Sequence, residues 1–438
     1  MRKKSKNFIA LLLVCTMVLS LLVGCNSNGD NDTKDSDAKG DNNTETSQEV
    51  VEINFPTSWV GVSVNTEWFN ERLEAFNKEY EDKYKVVVEE IAGDQNYVDK
   101  MKVLYSSNSL PDVIAAGGYN LIDTMKDQLV DLTAYVDNDW KATNSEVCWE
   151  TNAREGKIYG IPYSKQVIGY FYNKESFAKA GIQEPAKTWD EFFEQCDKLL
   201  EAGITPLSMD TADSGWITSL FLGAMIAQTD EGEAFMNTSL PTNYNTPEFI
   251  EAATMVQTMF QKYTTSDAIG GKYESGASNF FMGETAIIAN GPWMVSDFND
   301  TSLVEEGFAD QVGTAIFPEG VMYNSGKIGF NIASKSEEKI EASLEFIKFL
   351  TSEESQQKML EKTGDIPANE NVTSDSVFPL INEVVENSNN ADRSINDFQS
   401  LWYANVVDEM SVQYPLLAQG EITPEEFASA LTKVAEKN

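Results

Sequence analysis

Two periodicities of apolar positions run along the chain. In Val51-Glu52-Ile53-Asn54-Phe55 apolar and polar residues alternate, the pattern of a half-buried strand, and beyond it Phe69, Leu73, Phe76 and Tyr80 recur at helical spacing. Val86-Val87-Val88 and Asp112-Val113-Ile114-Ala115-Ala116 predict further strands, and the run from Tyr97 to Tyr105 supplies a crossover helix between them. Strand, helix, strand is the order of a mostly parallel sheet. In Thr188-Trp189-Asp190-Glu191 a capping residue is followed three positions on by Glu; Phe192, Cys196 and Leu199 then share a face and Gly203 ends the helix. A helix is expected from about Lys339 with Leu344, Ile347 and Leu350 inward, and a last one from Thr423-Pro424-Glu425-Glu426 through Phe427, Leu431 and Val434. Helical and β-rich runs alternate throughout, which predicts an α/β fold rather than separate all-α and all-β parts.

The first residues follow a different rule. Arg2, Lys3, Lys4 and Lys6 precede the apolar run from Phe8 to Val23, the makeup of a secretory signal. The run ends in Leu22-Val23-Gly24-Cys25, which resembles the lipobox of bacterial lipoproteins and implies a signal peptide over 1–24 with acylation of Cys25. From Asn26 to about Gln48 nearly every residue is Asn, Asp, Ser, Thr, Lys or Gly, so 25–49 is expected to be a lipidated cysteine and disordered tether. No later run approaches the ~20 apolar residues that cross a bilayer. Attachment is therefore expected by lipid alone, on the extracytoplasmic face of the cell membrane.

Composition narrows the function further. The formal charge of −38 becomes −42 once the four cations of 1–24 are removed, a balance that disfavours nucleic acid as a partner. The chain has no histidine, which excludes histidine-dependent catalytic triads and histidine-ligated metal sites. With Cys15 in the signal and Cys25 as anchor, only Cys148 and Cys196 remain, and both are expected to be free. The length left after the tether exceeds what one core usually serves, so two domains are expected.

Several segments, in order, resemble the extracellular solute-binding proteins of sugar importers, the family of maltose-binding protein. They are Leu110-Pro111-Asp112-Val113, Leu129-Val130-Asp131-Leu132, Gly156-Lys157-Ile158-Tyr159-Gly160-Ile161-Pro162, and Tyr170-Phe171-Tyr172-Asn173-Lys174. Gly181 with Thr188-Trp189-Asp190-Glu191 continues the pattern. Downstream, Phe280-Phe281-Met282-Gly283-Glu284-Thr285-Ala286 runs into Asn290-Gly291-Pro292-Trp293, and Leu401-Trp402-Tyr403 follows near the end. The resemblance implies a two-lobed periplasmic-binding-protein-like fold with a hinge and a ligand cleft between lobes. It divides the chain into an N-terminal α/β lobe of 50–163 plus 320–366 and a C-terminal lobe of 164–319 plus 367–438. It also implies a monomer without cofactor or metal, no chemistry on the ligand, and delivery of the solute to the permease subunits of an ABC importer.

A sugar presents apolar C–H faces and a rim of hydroxyls, so its site needs aromatic platforms and fixed polar groups. The chain has eight Trp and sixteen Tyr. The candidates follow strands or turns, where open α/β sheets bind ligand: Trp59 after the first strand, Tyr119 with Asn120 after the third, Tyr163 after Ile161-Pro162, and Trp293 after Gly291-Pro292. Trp216 opens a hydrophobic helix after Asp213-Ser214-Gly215, and Trp402 enters through the family resemblance. Asn120, Asp213, Gln166, Arg393 and Asn331 are the polar candidates. Two alternatives stay open: the same fold binding a polyamine, peptide or other small solute, and a secreted glycoside hydrolase, which needs only two well-placed carboxylates.

Overall fold

Alternation in the first strand is realised as expected. In the computed structural model, which describes residues 50–438 except 62, 116–118 and 374–377, Ile53 and Phe55 of β1 (Val51–Thr57) point inward. The signal, Cys25 and the tether lie outside the described residues, as does Ala116 at the end of the third expected strand. A helix over Thr66–Glu79 leads to β2 (Tyr84–Glu90), which pairs parallel with β1 from Val51↔Tyr84 to Thr57↔Glu90. The crossover helix spans Asp94–Ser106 and delivers the chain to β3 (Val113–Ala115) beside β1.

A short hairpin of β4 (Ala153–Arg154) and β5 (Lys157–Ile158) precedes β6 (Lys165–Asn173), the strand around which the larger sheet is built. That sheet adds β7 (Thr205–Leu207), β8 (Thr285–Asn290), β9 (Val312–Ala315) and β10 (Val321–Gly326). After β11 (Phe330–Ile332), which pairs with β3, the last strand β12 (Arg393–Ile395) closes the sheet in the order β12-β10-β6-β8-β7. β10 runs along the first half of β6 and β9 along its second half.

Two expectations need correction. The sheets are mixed rather than mostly parallel: β1–β2, β7–β8 and β10–β12 are parallel, whereas β8, β9 and β10 all run antiparallel to β6, and β11 runs antiparallel to β3. The crossover logic held for the first β-α-β unit, but the chain returns to β6 from several directions. Residues 321–326, expected with the first lobe, form β10 of the larger sheet instead. Val321, Met322 and Tyr323 are fully buried there, with Tyr323 paired to Ile168 and its hydroxyl donating to the Leu220 carbonyl at 2.9 Å.

Buried side chains gather into distinct groups. The largest surrounds the six-stranded sheet and includes Phe171, Phe192, Phe221, Ile287, Tyr323 and Trp402. A second, with Ile53, Phe55, Trp68, Phe76, Phe330 and Phe346, surrounds β1, β3 and β11, and a third packs the helix 94–106 through Tyr97, Val98 and Met101. Each fully buried aliphatic or aromatic side chain contributes roughly 1.5–3 kcal/mol. Three chain segments cross between them side by side, joined by the bridges Ile161↔Phe330 and Ser164↔Pro367 and by the Lys327 amide donating to the Ser164 carbonyl at 3.0 Å. The approach is so close at Gly329 that an added Cβ would overlap the Ile161 carbonyl.

Capping follows sequence. Thr188 accepts from the Glu191 amide at 3.2 Å and begins the helix Trp189–Glu201; Thr423 and Glu426 form a full capping box. The helix expected from Lys339 starts at Glu337, because Ser336 supplies the cap. Cys148 and Cys196 are free and buried. Among the described residues no helix is long and apolar enough to cross a membrane.

Candidate functional site

The fully buried strand β8 ends at Asn290, and its continuation through Gly291-Pro292 sets Trp293 at the carboxyl edge of the sheet. Asn290 fixes this corner, accepting from the Gly291 amide at 2.8 Å and donating to the Tyr273 hydroxyl at 3.1 Å. Trp293 is half-buried, and its ring centre lies 5.9 Å from that of Trp216, which in turn lies 5.8 Å from Tyr273. Trp216 owes its place to the helix it opens, Trp216–Ile226. Asp210 caps that helix, accepting from the Thr218 amide at 3.2 Å; burial outweighs the amides and pushes its carboxyl up to about 7.

Where the chain crosses between the buried groups stands Lys327, between β10 and β11. Its Nζ lies 4.5 Å above the Trp293 ring and donates to Asp365 Oδ1 at 2.7 Å. Both side chains are almost wholly buried, so the pair must stand on its own hydrogen bonds and on the aromatic face beside it.

Two carboxyl groups lie close enough to Lys327 to feel its charge, Asp94 from the helix 94–106 and Asp397 from the segment after β12 of the larger sheet. Asp94 opens the helix 94–106 after Gly93 and bonds to Ser58; burial raises its carboxyl, while Ser58 and Lys327 oppose the rise. Solvent still reaches Asp94 although protein surrounds it, the condition of a residue on a cleft wall. Asp397 is 1 % exposed, its Oδ1 has no hydrogen-bond partner, and burial pushes it up to about 7 against the Gln399 and Phe398 amides and Lys327. Tyr119 is half-buried, and burial together with Asp94 and Asp397 raises its phenol while its hydroxyl bonds to Gln399. The Asn120 amide donates to the Gln399 carbonyl at 2.9 Å, joining the two sides by backbone.

Of the residues expected at the cleft, Trp216 and Trp293 stand together, and Tyr119 and Asn120 stand beside Gln399. Asn120 is mostly spent on structure, donating to Asp123 at 2.6 Å and accepting from the Asp123 amide. Others go elsewhere for physical reasons. Trp59 and Tyr163 are 3 % and 2 % exposed and meet each other edge to face at 5.7 Å in the second buried group, filling core volume behind the cleft. Trp402 is 1 % exposed and packs on Tyr244, Phe249 and Phe235 within the largest group. Arg393 is paired with Asp230 at 2.8 Å and Glu233 at 2.9 Å, and Asp213 pairs with Lys272 at 3.0 Å on the exposed surface. Gln166 is buried within β6 opposite Ser325, and Asn331 is fully buried, donating to the Tyr159 carbonyl at 2.9 Å.

Sequence reasoning missed Lys327, Asp365, Asp94, Asp397 and Tyr273. A signal existed for the lysine, set between glycines in Gly326-Lys327-Ile328-Gly329, and a weaker one for Asp94 behind Gly93 at a helix start. Asp397 and Asp365 carry no local mark among seventy Asp and Glu residues. A separate surface concavity is lined by Asp137, Trp140, Lys348 and Glu353, with Lys348 lying over the Trp140 ring at 5.4 Å.

Residues 71–381 match the model of the family described as bacterial extracellular solute-binding protein. The multiple sugar-binding protein of Streptococcus mutans is 25% identical over 314 residues, covering 66% of this chain and 69% of that one. Among solved structures, a chitin oligosaccharide binding protein superposes with a TM-score of 0.79 at 21% identity, covering 89% of this chain and 98% of the other. A Streptococcus pneumoniae solute-binding protein in complex with the blood group A-trisaccharide gives 0.76 at 23% identity, covering 89% and 100%.

Proposed function

The chain belongs to the bacterial extracellular solute-binding protein family, with the α/β periplasmic-binding-protein fold, and from that premise we propose that it captures a sugar or oligosaccharide between two lobes for an ABC importer. The observation that carries the reading is the aromatic wall of Trp216, Trp293 and Tyr273, with Lys327 over the Trp293 ring and close enough to Asp94 to act on its carboxyl. Aromatic faces cover the C–H faces of a pyranose, and Asp94 with Tyr119 accepts or donates to its hydroxyl rim. Lys327, neutralised by Asp365, holds the Trp293 ring in register and offers its remaining protons to ligand oxygens.

The lobes of this reading are the body around the six-stranded sheet and the body around β1, β3 and β11, with the three crossing segments as hinge. Ligand bound to both lobes favours the closed arrangement by its differential affinity, and the closed form is what the permease receives. No bond in the ligand is broken. Acylation at Cys25 would hold the protein to the extracytoplasmic face of the membrane; globomycin-sensitive processing and metabolic labelling with a fatty acid test that anchor, and a Cys25→Ser chain that stayed on the membrane would contradict it.

A thermal-shift screen with mono- and oligosaccharides tests the ligand class, because a ligand that binds only the native state stabilises it by mass action. At a hundredfold excess over Kd the gain is about 2.7 kcal/mol. A cationic solute is the second reading, favoured by one observation: Lys327 is already committed to Asp365, and among the described residues no ion pair engages Asp94. Spermidine in the same screen separates the two. Stabilisation by spermidine alone would replace the sugar.

A further inference from the structure

We infer that the helix Ala404–Gln419 couples closure across the cleft to the placement of Trp216, with Asp408 engaging the helix 94–106 and Ser411 acting as the positioning residue for the aromatic platform. The inference rests on the two-lobed reading above.

Asp408 accepts from Lys102 Nζ at 3.0 Å and from Gln95 Nε2 at 3.4 Å. Both donors belong to the helix 94–106, whose first residue is Asp94, so this contact draws Asp94 toward the aromatic wall. Ser411 and Tyr414 follow at intervals of three, each beside the last on the helix surface. They face the turn Asp213-Ser214-Gly215, where all three residues are in the left-handed region with φ of 51°, 71° and 53°.

That conformation is unfavourable at Asp213 and Ser214 and persists only where the surroundings hold it. The holding groups come from the helix. Ser411 Oγ accepts from the Ser214 amide at 2.7 Å. The Ser219 hydroxyl donates to the Ser214 carbonyl at 3.1 Å, which leaves the Tyr414 hydroxyl to donate to Ser219 Oγ at 2.8 Å. Gly215 cannot be replaced without moving Tyr414, since an added Cβ would lie 2.7 Å from its ring. The next residue is Trp216. A displacement of Asp408 as the lobes part therefore reaches the platform through one helix and one strained turn.

The test needs no ligand, so it fails independently of the sugar assignment. Spin labels at Val103→Cys and Met282→Cys, both on exposed positions, report the separation of the two bodies, while Cys148 and Cys196 stay buried. Fluorine NMR of the 5-fluorotryptophan protein reports each indole, with the Trp216 signal assigned by its loss in Trp216→Phe. Asp408→Asn and, independently, Lys102→Met should lower the closed-to-open ratio about two- to five-fold, the scale of a half-exposed ion pair. Both should move the Trp216 signal and leave those of Trp68 and Trp149 in place. Ser411→Ala should move the Trp216 signal, Ser411→Thr should restore it, and adding Asp408→Asn to Ser411→Ala should give a shift smaller than the sum. A Trp216 signal that stays fixed while the labels separate, additive shifts, or labels that do not separate in either charge variant would overturn the coupling.

Discussion

The two bodies that flank the cleft handle their aromatic residues in opposite ways. Around β1, Trp59 follows a strand just as Trp293 follows β8, yet Trp59 disappears into a cluster with Phe55, Trp68, Phe69, Tyr163 and Phe330. Around the six-stranded sheet, the core is already filled by Phe171, Ile287, Phe298 and their neighbours, and Trp293 is left half-buried against Trp216 and Lys327. The region around β1 consumes its aromatics in packing, and Asp94 and Tyr119 are what it leaves accessible. A strand-end position is thus not sufficient for a platform; what decides is whether the core behind it still has room.

The sharpest way to break this contrast is to truncate a tryptophan of each kind. Trp402→Ala, in the larger core, should lower unfolding free energy by about 3–5 kcal/mol in denaturant titrations, as should Trp59→Ala. Trp293→Ala should leave stability within about 1 kcal/mol and weaken sugar binding by about 10- to 100-fold, the loss of one ring face. Were Trp293→Ala to unfold the protein while Trp402→Ala bound normally, the assignment of platform and core would be reversed.

Asp397 gives a subtler discriminator. Burial lifts Asp397 from an ordinary 3.8 to about 7, so the folded chain binds that proton more tightly than the unfolded chain. Its ionisation therefore removes stability as pH rises through the interval between those values, and Asp210 acts in the same direction. Thermal melts of the ligand-free protein should fall from pH 5 to pH 8, and Asp397→Asn should reduce that fall by on the order of 2 kcal/mol. An unchanged pH dependence in the variant would place the titration elsewhere. The smallest effect belongs to Arg393→Ala: its carboxylate partners are partly solvated, so stability should change by no more than about 1 kcal/mol and calorimetric affinity for sugar should not change at all.

Local signals in the sequence were enough for several elements. Thr188 and Thr423 each cap a helix, and the alternation at Val51–Phe55 marks β1, because these patterns are satisfied within a few residues. What escaped was everything set by pairing over long separations. β10 joins β6 rather than the smaller body through contacts across about 150 residues of chain, a choice no window of sequence contains. The site divides the same way. Trp216 and Trp293 are candidates that a turn and a strand end flag in the sequence, whereas Asp365 stands out only on meeting Lys327, 38 positions away, and Asp397 only through burial. Arg393 shows the converse: its charge suggested a ligand, and two carboxylates of a neighbouring helix had already claimed it.

The central claim is that the ligand lies between the aromatic wall and Asp94. A crystal structure of the protein with an oligosaccharide identified by the thermal-shift screen tests it most directly. A sugar ring stacked on Trp293 and Trp216 with hydroxyls on Asp94 or Lys327 is expected; a sugar seated in the surface concavity beside Trp140, with the space between Trp293 and Asp94 filled only by solvent, would overturn the assignment.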